Sequence, residues 1–160
     1  MRAMGMVKGL AAGVLAAMTA VATADANDDK TITGSNCYPF IEGTSGVWVR
    51  VAPGAYNLSQ TDSVTVTCPI LRDNTTNTTG LADVELQVAV SSGSMTCTAG
   101  AYDASAFGTV KTVAKTTTGT GNSKLDWGTA LNKSSSVGTF AIDCTVPPFG
   151  QIYSLRYSEF

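Results

Sequence analysis

Residues 83–90 read Asp-Val-Glu-Leu-Gln-Val-Ala-Val, a strict alternation that only an extended strand with one buried face satisfies. Val84, Leu86, Val88 and Val90 would face a core, and Asp83, Glu85 and Gln87 would face water. The same period runs through Val64–Cys68 and through Phe140, Ile142, Cys144 and Val146. In the last strand Tyr153, Leu155 and Tyr157 share a face. Val47, Val49 and Val51 share another, with Trp48 and Arg50 on the opposite, polar side. Weaker strands are expected over 94–98, 109–115 and 124–127, with Pro53-Gly54, Asp73-Asn74, Ser92-Gly93, Gly119–Asn122 and Pro147–Gly150 as turns. No stretch beyond residue 24 carries a helical apolar stripe with caps. The pattern predicts an all-β chain of about eight short antiparallel strands: a β-sandwich of jelly-roll or Greek-key type. A parallel sheet would show continuous apolar runs with helices between them.

Residues 1–24 carry the marks of an export signal that is cleaved. Arg2 and Lys8 precede the small, apolar run Gly9–Ala22, and Ala22-Thr23-Ala24 has the small-residue pattern of a cleavage site. The run is shorter than the ~20 residues a membrane span requires, and its Ala-rich character reads as bacterial. The expected organisation is a signal at 1–24, a flexible segment at 25–36 and one β-sandwich domain at 37–160, at the cell surface, in the periplasm or outside the cell. Cleavage leaves 8 basic and 12 acidic side chains, a net charge of −4. An acidic chain is poorly suited to nucleic acid. The sequence contains no His, which removes the Ser-His-Asp triad, the Cys-His dyad and the HExxH zinc site.

The four cysteines, Cys37, Cys68, Cys97 and Cys144, form no C-x-x-C pair, which argues against a metal or redox centre. In an exported chain an even number reads as structural disulfides, and four cysteines allow three connectivities. The similar settings Thr96-Cys97-Thr98 and Asp143-Cys144-Thr145 suggest adjacent strands and favour Cys97–Cys144 with Cys37–Cys68.

Candidate site residues are few. Trp48, on the polar side of its strand, together with Tyr56 and Tyr102, could stack on the flat apolar face of a sugar or anchor a protein contact. The more ordinary reading has both faces of this strand covered, which buries Trp48 in the core or under a loop; Trp127 is expected in the core. Asp83 and Glu85 form a carboxylate pair of the kind used in glycoside hydrolysis, although such a pair on a strand ordinarily only solvates it. Asp73–Asn77 offers oxygens that calcium could use, but the EF-hand requirements for Gly and Glu fall on Thr78 and Val84, so no cofactor is expected. The immunoglobulin signature fails, because Cys97 lacks a nearby following Trp and Ile142 stands where a tyrosine would.

Cys37-Tyr38-Pro39-Phe40, Val64–Ile70 running into Arg72-Asp73-Asn74-Thr75, Thr96-Cys97-Thr98 with Tyr102-Asp103, and Cys144–Pro148 with Ile152-Tyr153-Ser154 together resemble a group of small secreted bacterial proteins. That resemblance spans most of the chain after the signal. It implies export, disulfides and a β-sandwich, and no catalytic residues. The chain also resembles chaperone–usher pilins in size, Thr content and export. Its segment Asp25–Gly34, however, is short, acidic and apolar only at Ile32, unlike a donor strand. Carbohydrate-binding modules are similar in fold and length. The expected function is non-catalytic recognition of a glycan or surface protein. A structural subunit of a coat or filament, self-associating through sheet edges, is the alternative, and a carboxylate hydrolase comes third.

Overall fold

A computed structural model describes residues 28–40, 47–73, 80–103, 108–131 and 138–159. The signal at 1–24 and residues 74–77 of the calcium-loop candidate lie outside the described residues. The described strands are β1 (Asp28–Thr33), β2 (Tyr38–Pro39), β3 (Trp48–Val51), β4 (Gly54–Asn57), β5 (Val64–Ile70), β6 (Leu81–Val90), β7 (Ser94–Asp103), β8 (Gly108–Thr118), β9 (Gly121–Asp126), β10 (Gly138–Val146) and β11 (Gln151–Glu159). One sheet has the order β3-β4-β11-β6-β9, with β1 also paired to β11. The second has the order β2-β5-β10-β7-β8. All pairings are antiparallel. The last two strands separate, so that β10 enters the middle of the five-stranded sheet and β11 the middle of the six-stranded one.

The expected all-β sandwich is the observed fold. Val84, Leu86 and Val88 of β6 are fully buried, as are Val66 of β5 and Ile142 and Val146 of β10. Burying such side chains contributes about 1.5–3 kcal/mol each. The three short strands β1, β2 and β4 add to the eight expected.

Both disulfides have the favoured connectivity, Cys37–Cys68 and Cys97–Cys144. Cys97 and Cys144 face one another in the β7–β10 register. Cys37 immediately precedes β2, which pairs β5 beside Cys68. Each staple therefore joins neighbouring strands of the five-stranded sheet, and all four sulfurs belong to residues in the core.

Three expectations are corrected. Within the supposedly flexible segment 25–36, residues 28–33 form β1 and Gly34–Asn36 a 3-10 turn. The ladder to β11 and the ion pairs of Lys30 hold this strand: Lys30 Nζ lies 3.0 Å from Oε1 of the buried Glu159 and 2.8 Å from Asp73 Oδ2. In β3 the faces are reversed. Trp48 is buried, its indole N–H donating to the Cys37 carbonyl at 3.1 Å, while Val51 is 45% exposed. The wide indole gains more by burial than Val does, and β3 runs out along an edge. In β11 a bulge between Ile152 and Ser154 breaks the alternation, so Tyr153 does not share the buried face of Leu155 and Tyr157.

The end of the sandwich near β4 is tied by one amide. Asn57, fully buried, donates from Nδ2 to the carbonyls of Asp62 (2.8 Å), Val146 (3.0 Å) and Pro147 (3.0 Å). Its Oδ1 accepts the Ser59 N–H at 2.9 Å.

Candidate functional site

The outer face of the six-stranded sheet is built by register. Tyr56, Gln151, Ala89 and Asn122 lie in one row across β4, β11, β6 and β9. Gln87 and Lys124 form the next row, and Arg156, Glu85 and Asp126 a third. Strands about 4.8 Å apart carry each row, so four strands present a surface about 14 Å wide.

The bulge sets the chemistry of this surface. One extra residue in β11 turns Tyr153 towards β6 and β9, where it lines a shallow concavity of about 190 Å³ with Gln87, Asn122 and Lys124, and with Val88 and Ser123 between them. The glycine at residue 54 permits the geometry. A Cβ there would lie 2.6 Å from the Ile152 carbonyl oxygen and 3.2 Å from the Tyr153 Cα. An aromatic ring beside two primary amides offers a stacking surface together with paired donors and acceptors, the combination that hydroxyl-rich rings require.

Charges rim one side. Lys124 Nζ donates to Glu85 Oε1 at 2.6 Å and lies 3.3 Å from Asp126 Oδ2. Arg156 pairs with Asp29 at 2.6 Å and lies 3.9 Å from Glu85. The hydrogen bonds to Glu85 and Asp126 raise the Lys124 pKa, so the ammonium stays charged. The Gly128 N–H and Lys124 hold Asp126 below the usual carboxylate range. Asp83 is raised, first by burial and then by Glu85 and Asp126. Oxygens of Asp83, Glu85 and Asp126 lie within 4.8 Å of one another, a spacing a cation could use, and Lys124 is bonded to two of the three residues. Of the carboxylate pair named from sequence, Glu85 thus sits in an ion-pair lattice on the rim with Asp83 beside it.

The structure does not bring Trp48, Tyr56 and Tyr102 together. Trp48 is in the core, as the covered-face reading expects, and contributes nothing to an outer-face site. Tyr56 is half-buried on the face just described, beside Gln151. Tyr102 lies on the outer face of the other sheet, where its hydroxyl donates to Asp143 Oδ2 at 2.9 Å. Sequence reasoning missed Tyr153, Gln87 and Asn122. The outward position of Gln87 was readable from the alternation of β6, whereas that of Tyr153 depends on the bulge.

No protein-family model matches the chain, and no curated protein matches it in sequence. Two solved structures are similar over 82% of the chain. One is the GH26-CBM35 β-(1,4)-mannanase of Podospora anserina, at 13% identity and a TM-score of 0.45, of which the chain spans 28%. The other is CBM86, a low-affinity xylan-binding module from Roseburia intestinalis, at 12% identity and a TM-score of 0.43, covered over 96% of its length.

Proposed function

We propose that this protein is an exported, non-catalytic recognition module that binds a neutral polysaccharide on the outer face of its six-stranded sheet. The observation that carries this reading is the bulge at Ile152/Ser154, which turns Tyr153 out of the core and over Gln87 and Asn122. Bulges recur where a side chain must be re-aimed towards a ligand. Tyr153 supplies the stacking surface, Gln87 and Asn122 the hydrogen bonds, and Tyr56 with Gln151 extends the surface along the same face. Lys124 is balanced by Glu85 and Asp126, so the surface favours a neutral ligand over an ionic one. Two disulfides suit an oxidising compartment. Polymerisation through the sheet edge is disfavoured at β8, whose exposed Lys111 and Lys115 are the charged side chains that oppose strand addition.

Affinity gel electrophoresis against soluble β-(1,4)-mannan, β-(1,4)-xylan and mixed-linkage β-glucan tests the reading. At least one polymer should retard the oxidised protein, and Tyr153→Ala should weaken that retardation by about tenfold, the worth of one aromatic stack. Retardation by none of them, or retardation indifferent to Tyr153→Ala, refutes it.

A further inference from the structure

The outer face of the five-stranded sheet shows a second constructed surface, centred on Tyr102. A Cβ on Gly100 would lie 2.6 Å from the Tyr102 hydroxyl oxygen and 2.7–2.8 Å from two of its ring carbons. The ring therefore lies down along β7, over the one residue type that leaves room for it. Its hydroxyl donates to Asp143 Oδ2 at 2.9 Å, and Asp143 Oδ1 accepts from the Thr67 hydroxyl at 2.7 Å. Three adjacent strands, β5, β10 and β7, thus fix one phenol flat against the sheet.

The surroundings define what could lie on this ring. By register, Pro69 and Ala141 stand in the same row as Gly100, and Tyr38, which is 47% exposed, stands beside Thr67. Around them this face is largely threonine, with Thr65, Thr96, Thr116 and Thr145 exposed in one further row. Among the described residues, Asp143 is the one charged side chain at an outward position of this sheet's paired rows. Two hydroxyl donors already serve its carboxylate. Burial and the Asp143 hydrogen bond push the Tyr102 phenol up to about 12, so the ring stays neutral at any physiological pH. Among these described outward positions, an ionic partner finds one carboxylate, already engaged by two hydroxyls. A flat, uncharged ring bordered by hydroxyls and a proline complements the apolar face of a neutral sugar ring.

We infer that Tyr102, lying over Gly100 and anchored by Asp143, is the platform of a second polysaccharide site, on the opposite side of the sandwich from Tyr153. A module with two back-to-back sites can bridge two polymer chains, or gain avidity on a dense polymer without any new contact. This site stands on its own observations and does not depend on the concavity at Tyr153.

The test uses the oxidised full domain in affinity gels containing the same three polysaccharides, with Tyr102→Ala, Tyr153→Ala and the double variant. Each single variant should remain retarded but about tenfold more weakly, and the double variant should migrate freely. Wild type should precipitate a long-chain polymer at intermediate ratios, and neither single variant should. Gly100→Ala, which lifts the ring while leaving both tyrosines in place, should behave as Tyr102→Ala does. Tyr102→Phe, which keeps a ring over Gly100, should retain most of the binding and serves if Tyr102→Ala fails to fold. Retardation abolished by Tyr153→Ala and untouched by Tyr102→Ala and Gly100→Ala overturns the second site and leaves the first. Retardation abolished by Tyr102→Ala and untouched by Tyr153→Ala does the reverse. No retardation of wild type by any of the three overturns both.

Discussion

Replacing Asn57 by Ala removes the amide that joins the β4 end of the sandwich to the turn between β10 and β11. Its hydrogen bonds go with it: the two N–H groups of Nδ2 serve the carbonyls of Asp62, Val146 and Pro147, one of them shared, and Oδ1 accepts the Ser59 N–H. Asp62 is exposed, so its carbonyl recovers a water; the buried Pro147 carbonyl keeps the Gly150 N–H at 2.9 Å, and the buried Val146 carbonyl loses the Asn57 amide without gaining water. One stranded acceptor at about 1–1.5 kcal/mol, plus about 1 kcal/mol for the Ser59 contact, gives a loss of about 2–2.5 kcal/mol. At about 4 °C per kcal/mol for a domain of this size, the melting temperature should fall by about 8–10 °C. Urea unfolding of the oxidised protein should show a lower midpoint with an unchanged slope. A loss under about 1 kcal/mol would refute the reasoning, since the buried Val146 carbonyl would then have another partner. Asn57→Asp sharpens the test. A carboxylate at 57 would face those three carbonyl oxygens, so folding would favour its protonated form and raise its folded pKa. The stability of Asn57→Asp relative to Asn57→Ala should be highest below the unfolded carboxyl pKa and fall as pH rises through the folded one. A pH-independent difference would contradict it.

The acidic rim should show both signs of linkage. Asp83 has a raised pKa, so its contribution is lost as pH rises, and Asp83→Asn should stabilise the protein at pH 7 and do nothing near pH 3. Asp126 has a lowered pKa, so its contribution is present above the unfolded pKa and lost as pH falls; Asp126→Asn should lower the pH 7 melting temperature. Thermal melts of both variants across pH check the pair. Phe149, 46% exposed with φ 57° in a turn closed by the Gly150 N–H to the Pro147 carbonyl at 2.9 Å, occupies a conformation that suits Gly. Phe149→Gly should therefore gain about 1 kcal/mol in urea unfolding, and a loss would show that the ring packs productively. The Cys97→Ser/Cys144→Ser double variant should lose about 3–4 kcal/mol in the same assay on the chain-entropy account. An unchanged midpoint would argue against that staple.

What could be read from the sequence followed from how strictly each strand alternates. β10, and β6 from Val84 onward, keep period two, so their inner faces were legible residue by residue. The cysteine pairing was legible because Cys97 and Cys144 carry matching neighbours. β3 failed because alternation defines two faces without saying which is inward, and there one indole outweighed several Val side chains. Tyr153 failed because a bulge changes parity through the partner strand, and no residue in β11 announces it. The polar composition of Asp28–Thr33 hid a strand whose order comes from a ladder and from the Lys30–Glu159 pair, both set by residues at the other end of the chain.

Both disulfides lie within the same sheet, and this divides the sandwich into two leaves of different stiffness. β2, β5, β7 and β10 are cross-linked, so their opening is limited by covalent bonds, and their amides should exchange with solvent slowly and together. The leaf formed by β1, β3, β4, β6, β9 and β11 is held by hydrogen bonds and packing, and it can open strand by strand from its edges. A ligand on the uncross-linked leaf would therefore quench motion as it binds, giving a favourable enthalpy set against an entropic cost. A ligand on the stapled leaf would meet a surface already at rest and bind with little such cost.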